Sequence, residues 1–174
     1  MRPIRLSLQA FGPFATTEVV DFRSALETGL FGIYGQTGAG KSTLFSAMSF
    51  ALFGAPTKTD QEPRSLRSDY SAPDLPTEVE FVFELGAKTY LIRRRPVQER
   101  PKARGEGITE DAAVASLFDV TGIPVDTLGP SQSGRVIAEK KVSVVGQQVE
   151  ALLGYGADQF RQIVLLPQGK FETF

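Results

Sequence analysis

Residues 29–43 read Gly-Leu-Phe-Gly-Ile-Tyr-Gly-Gln-Thr-Gly-Ala-Gly-Lys-Ser-Thr. Within them Gly35, Gly40, Lys41 and Ser42 fit G-x-x-x-x-G-K-[ST], a loop whose backbone N–H groups surround a phosphate. The pattern carries that meaning only between a strand and a helix, and both flanks qualify. Leu30, Phe31, Ile33 and Tyr34 form a short apolar run of strand type. Leu44, Met48, Ala51 and Leu52 then recur at helical spacing, with Phe45 and Phe53 beside them. Gly54 and Pro56 supply the helix stop.

The residue types suit a nucleoside triphosphate with Mg²⁺. Gly38 and Gly40 carry no side chain, so the backbone can curl round a phosphate and turn its N–H groups inward. The helix beginning near Lys41 adds its positive dipole end at the same place. Lys41 can reach the β- and γ-phosphates, the Ser42 hydroxyl can ligate Mg²⁺, and Thr43 can touch the α-phosphate. The candidate nucleotide-binding residues are thus Gly35, Gln36, Thr37, Gly38, Ala39, Gly40, Lys41, Ser42 and Thr43.

Composition bounds the rest. The 174 residues make one domain's worth of chain, and 41% hydrophobic with 22% charged residues is an ordinary globular balance. The net charge of −1 gives no overall field to recruit nucleic acid, so any such contact needs a local patch. There is no cysteine, which excludes disulfides and thiol chemistry, and no histidine, which excludes imidazole acid–base catalysis and the usual zinc sites. No apolar run approaches the ~20 residues of a membrane span.

Outward from the loop, Ile4, Leu6 and Leu8 alternate with polar residues, and Val19, Val20 and Phe22 follow a Gly12-Pro13 turn, so residues 3–22 read as two strands. Residues 55–76, rich in Pro, Ser and Asp, read as a long loop carrying Arg64 and Arg67. Residues 77–95 read as a hairpin: Val79, Phe81, Phe83 and Leu85 on one face, a Gly86-Ala87 turn, then Tyr90 and Ile92. Residues 96–111 read as a mobile loop or hairpin tip. With Arg93, Arg94 and Arg95 they hold Arg100, Lys102 and Arg104, the most basic stretch of the chain and the candidate contact for a nucleic-acid backbone. Val114–Val120 reads as a strand, and Val142 to Leu153 as a helix stopped by Gly154. Asp158 can cap a short turn carrying Phe160, and Ile163-Val164-Leu165-Leu166 reads as a buried strand.

Some matches are coincidental. Thr57-Lys58-Thr59-Asp60 fits the guanine pattern T-K-x-D and Asp119-Val120-Thr121-Gly122 fits D-x-x-G, but their order is the reverse of a GTPase's. The stretch 129–134 lacks the paired glycines of an L-S-G-G-Q signature. An apolar strand ending in Asp-Glu is absent; Leu117-Phe118-Asp119 comes nearest, with Val120 where a catalytic Glu would stand. A phosphate cradle without a metal-holding Asp or a water-activating carboxylate is half a site.

Four stretches together resemble the N-terminal segment of the SbcC family, bacterial DNA-repair ATPases of the SMC-like ABC class. They are Ile4 to Phe14, the 29–43 loop, the Thr77–Arg95 hairpin, and Val164-Leu165-Leu166-Pro167-Gln168-Gly169-Lys170-Phe171, which is similar to the family's Q-loop. The resemblance covers essentially the whole chain. It implies an α/β P-loop NTPase fold, an ABC-ATPase-like N-terminal lobe with an antiparallel β layer packed on a P-loop helix and strand core. It implies ATP and Mg²⁺ as ligands, with Ser42 and Gln168 on the metal, Lys41 and Gln168 as the catalytic pair, and Arg67 within reach of the nucleotide. Residues 1–174 would be the N-terminal half of a head, with a coiled coil and a C-terminal half lying elsewhere. That half would supply the missing motifs, so this chain alone is expected to hydrolyse ATP poorly or not at all. The implied partners are an SbcD-like nuclease, a second SbcC head, the C-terminal half and double-stranded DNA, in a cytoplasmic, nucleoid-associated setting. On the residues alone, a self-contained P-loop kinase or GTPase and a DNA-binding module with a vestigial P-loop stay open. Some relatives of this class carry an arginine in the first turn where this chain has Gly12-Pro13, so no nucleotide contact is assigned there.

Overall fold

The alternation of apolar and polar residues from Ile4 to Gln9 puts Leu6 and Leu8 on one side of strand β1 (Arg2–Phe11), where both are fully buried. A computed structural model describes residues 1–28, 32–57, 62–102, 106–129 and 134–164 of the chain. After a turn at Gly12-Pro13 the chain returns as β2 (Phe14–Asp21), paired antiparallel with β1. The 77–95 hairpin forms as its alternation dictates: β3 (Glu78–Leu85) and β4 (Lys88–Arg95) pair with Phe81 opposite Ile92 and Phe83 opposite Tyr90. β7 (Val114–Asp119) lies against β4, and β8 (Arg135–Glu139) against β7. The sheet therefore runs β2-β1-β3-β4-β7-β8 with every pairing antiparallel. Between β4 and β7 the basic segment folds into a small separate hairpin, β5 (Gln98–Pro101) and β6 (Ile108–Asp111), so of the two forms expected for it the hairpin is the one found.

One face of the sheet carries the helices. Val79, Phe81, Phe83, Tyr90, Ile92, Ala115 and Leu117 share a core with α1 (Lys41–Phe53) and α2 (Val142–Leu153). α1 is buried nearly all round, and its inward serines are satisfied: Ser49 Oγ donates to the Ala55 carbonyl at 2.8 Å and Ser46 Oγ accepts from Thr57 N–H at 3.3 Å. α2 buries only Val145 and Val149 among its described side chains, a one-faced helix. Gly54 and Gly154 close the two helices in left-handed conformation, at the positions expected of them. The opposite face of the sheet holds a smaller cluster of Ile4, Val82, Leu91, Phe118, Val120 and Leu128. Ile4 joins it because a bulge between Pro3 and Arg5 reverses the side-chain alternation of β1.

Three expectations are corrected. Residues 32–36 form no strand: Ile33 is half-buried against the core, but Tyr34 is 93% exposed. Leu30 and Phe31 lie outside the described residues. An apolar run becomes a strand only where a neighbour accepts its ladder, and none of the described strands of the main sheet pairs with residues 32–36. Ile163 and Val164 belong to a helical turn, Phe160–Val164, and not to a buried strand. The β-branched pair favours a strand locally, but the turn continues Ala157–Gln159, with Phe160 in a three-ring cluster with Phe53 and Tyr155 at 5.4 and 6.4 Å. Leu165 and Leu166 lie outside the described residues. Asp158 caps nothing; its carboxylate accepts from Arg161 Nη2 at 2.7 Å, and Gly156 holds the N-cap position. β8 is an addition, invisible in a short polar edge segment of which only Ala138 is buried.

Phe81 is fully buried, with its ring 5.5 Å from that of Phe83. Phe81→Ala removes a large side chain that rigid neighbours cannot replace, so chemical denaturation should show a loss of about 3–5 kcal/mol.

Candidate functional site

The glycine loop stands at the head of α1, and two of its glycines are there for stated reasons. Gly38 and Gly40 have φ of 87° and 88°, a left-handed conformation that disfavours a Cβ. At Gly40 there is no room either: a Cβ would lie 2.7 Å from Phe14 Cζ and 3.2 Å from Pro13 Cγ. At Gly38 nothing lies within 4 Å of that position, so the loop opens outward there. The Ala39 N–H donates to the Gln36 carbonyl at 3.2 Å, which closes the curl.

Lys41 folds back over this curl. Its Nζ donates to the carbonyls of Gly35 and Gln36, both at 2.7 Å. Ser42 is exposed beside it, and Thr43 is half-buried. The Lys41 and Ser42 N–H groups at the start of α1 have no intrahelical acceptor, whereas that of Thr43 donates to the Gly40 carbonyl at 3.0 Å; Gly40 has no side chain to cap them, and no acidic residue stands in the first turn. These groups together present positive potential to an open space: an ammonium, oriented amides and a hydroxyl that can face a metal. The set fits a triphosphate.

The β1–β2 turn holds this head in place. A Cβ on Gly12 would come within 2.9 Å of Thr43 Cγ2, so the turn lies directly against α1. The Gly12 N–H donates to the Leu66 carbonyl at 2.8 Å, and Phe11 bridges to Arg67. The Ala10 carbonyl accepts from Ser68 N–H at 2.9 Å and from Thr77 Oγ1 at 3.0 Å. Arg67 itself staples the following loop: Nη1 donates to the Leu75 carbonyl at 2.7 Å and Nη2 to the Ala72 carbonyl at 2.8 Å. Its backbone is thus close to the cradle, while its guanidinium serves loop carbonyls. Gln168 lies outside the described residues. The Pro13 and Phe14 contact with Gly40 was not read from sequence; a Gly-Pro-Phe turn signals a bend, not what the bend presses on.

Asp119, nearest in sequence to a metal-holding acid, is otherwise engaged. It accepts from Thr121 N–H at 3.0 Å and from Arg135 Nη2 at 3.1 Å. The hydrogen bonds from Thr121, with help from Arg135, hold its pKa down to about 2. Among the described residues no group of three or more acidic, Cys or His side chains is placed to hold a metal.

The basic stretch is corrected by strand parity. Arg94 points to the helix face and is 2% exposed, where no nucleic-acid backbone reaches it. Arg93 and Arg95 take the other face and pair with Glu80 and Glu78 across the hairpin, and Arg93 also lies over the Phe118 ring. Arg100 pairs with Asp111 at 2.8 Å, Lys102 is exposed, and Arg104 lies outside the described residues. Among the described residues no helix is long and apolar enough to cross a membrane.

A family model described as an AAA domain matches residues 5–174. The chain belongs to this family. It is 43% identical over 171 residues to SbcC of the SbcCD nuclease of Vibrio cholerae, an overlap of 98% of this chain and 16% of that protein. The SbcC proteins of Lactococcus lactis and Staphylococcus saprophyticus are 40% and 36% identical over all 174 residues, again 16% of their length. The resemblance to the SbcC family drawn from the four stretches is therefore the one that whole-chain comparison finds.

Gly40→Ala must strain a left-handed residue and push into Phe14, so urea unfolding should show a loss of about 1–3 kcal/mol. Asp119 gives a pH signature. Its folded pKa lies below its ordinary 3.8, so the stability it contributes is present above that value and is lost as pH falls toward about 2. Asp119→Asn should therefore unfold with a shallower pH dependence than the parent between pH 5 and 2, measured as the urea midpoint at each pH.

Proposed function

We propose that this chain is the phosphate-gripping half of an ATPase head in an SbcC-type nuclease complex. The observation that carries the proposal is the preset cradle: two left-handed glycines at the head of a buried helix, with Lys41 folded over them onto the carbonyls of Gly35 and Gln36. When ATP binds, Lys41 exchanges those two carbonyls for the β- and γ-phosphate oxygens, and the amides of Gly38, Gly40, Lys41 and Ser42 line the remainder. Mg²⁺ bound there offsets phosphate charge. Ser42 and Gln168 would hold it, a hydroxyl and a neutral amide oxygen that suit a hard cation. Arg67 reaches the nucleotide by releasing its loop carbonyls.

The comparisons support the complex. The relatives are named as one component of the SbcCD nuclease, and this chain spans 16% of their length. The remainder of such a protein would bring the coiled coil, the signature motif and the acidic residues of a complete site, since no metal-holding acidic group stands among the described residues. Two heads would close on two nucleotides, and hydrolysis would regulate an SbcD-like nuclease at double-stranded DNA ends, in the cytoplasm with the nucleoid. DNA contact from this chain falls to the β5–β6 tip around Lys102, with Arg94 taking no part.

A ligand that binds only the folded state stabilises it by about 2.7 kcal/mol at one hundred times its Kd. Mg-ATP should thus raise the melting temperature of this chain, Lys41→Ala should abolish the rise, and turnover by the chain alone should be slow or absent. An unchanged melting temperature in saturating Mg-ATP overturns nucleotide binding. Rapid turnover by residues 1–174 that vanishes in Lys41→Ala overturns the need for a second half.

A further inference from the structure

At the far end of α1 from the cradle lies a cleft of about 310 Å³. Its walls are apolar, formed by Phe50, Val97, Ala113 and Val142. Arg94 also lines it, and Arg94 is an anomaly. The side chain is 2% exposed, yet it has no carboxylate partner among the described residues. Its Nε donates to the Ala51 carbonyl at 2.9 Å and its Nη2 to the Leu52 carbonyl at 3.2 Å, so half of the guanidinium caps the end of α1. Nη1, with two further N–H groups, has no hydrogen-bond partner among the described residues.

A buried cation that lacks a counter-charge is costly, and an orphaned donor adds to that cost. Burial alone, with no opposing acid, brings its pKa down to about 10, so the guanidinium stays charged at neutral pH. Native proteins seldom keep such a group without a use for it. The adjoining Gly54 bears on that use. A Cβ there would stand 2.9 Å from Nη1, too close to be packed without a shift, so glycine lets the guanidinium lie against the end of α1, and Gly54 itself lines the cleft. The other charges at the cleft are mostly committed. Arg64 pairs with Glu110 at 2.7 Å and Arg95 pairs with Glu78, which leaves Glu62 as the exposed acid on the rim.

We propose that this cleft binds a carboxylate carried on a small apolar body, its oxygens meeting Arg94 Nη1 beside Gly54 and its apolar part resting on Phe50, Val97, Ala113 and Val142. A planar carboxylate matches the guanidinium edge, and in a largely apolar cleft such a bond is stronger than in water. The volume accommodates one ring-sized acid, or one acidic side chain together with an apolar neighbour. The site is independent of the nucleotide reading, since none of its residues belongs to the cradle.

The test is a titration of the 174-residue chain with benzoate, followed by the Arg94 Nε–H signal in a ¹⁵N-correlated spectrum. The expected result is a saturable shift that benzamide, equal in shape but neutral, does not produce. Ala113→Phe fills part of the cleft while leaving the Arg94 cap on α1 in place and should weaken benzoate at least tenfold while the melting temperature in buffer holds. Arg94→Met also removes the cap on α1, so Ala113→Phe is the deciding variant. A capped Leu-Asp-Leu peptide binding more tightly than benzoate assigns the site to an acidic protein segment, and the reverse order assigns it to a free acid. No saturable shift, an equal response to benzamide, or full binding by Ala113→Phe overturns the proposal. So does a Glu62→Gln variant whose Arg94 signal moves before any ligand is added, because Glu62 would then be the internal partner.

Discussion

Everything near the cradle depends on how closely the β1–β2 turn approaches the head of α1. Gly12 lies against Thr43, and Phe14 and Pro13 lie against Gly40, at distances that admit no Cβ on either glycine. Glycine is thus doubly required at residue 40, for its left-handed backbone and for this contact. The approach turns a flexible glycine loop into a supported one. Its support in turn hangs on the 62–77 loop, through the Gly12 to Leu66 bond and the two donors on the Ala10 carbonyl.

The antiparallel sheet supplies the floor. α1 lies across β1, β3 and β4 with Leu44, Met48, Phe50 and Leu52 in the shared core, so its orientation is set by packing along its length. Such a helix keeps its first-turn amides aimed at one point whether or not a phosphate is present. Preorganisation of this kind lowers the cost of binding, because little is left to be ordered when the ligand arrives. The Lys41 contacts hold the ammonium over the curl, and they are exchanged rather than kept when a phosphate arrives.

Three consecutive arginines show how one residue type takes three roles through strand geometry alone. Arg93 and Arg95 face away from the helices and meet acids on β3, whereas Arg94 faces inward and meets the end of α1. Read as composition, the three are a basic patch. Read with the period of two that a strand imposes, they are two cross-strand ion pairs and a helix cap.

Much of this was legible beforehand. The 77–95 alternation has one stable solution, and both helices begin and stop where the apolar spacing and the terminal glycines place them. The cradle too was legible, since its chemistry resides in a contiguous run of residue types. The failures share a cause. Residues 32–36, Ile163-Val164 and β8 take their form from what lies beside them, and a neighbour distant in sequence leaves no mark on local propensity. The same holds for Asp119, whose carboxylate is drawn to Thr121 and Arg135, and for Arg94, whose guanidinium meets the last carbonyls of α1 because β4 passes under that helix. Local pattern determined the 77–95 hairpin, both helices and the phosphate loop, because those choices rest on near neighbours. Tertiary structure alone decided what each charged side chain faces, because that depends on segments meeting across dozens of residues.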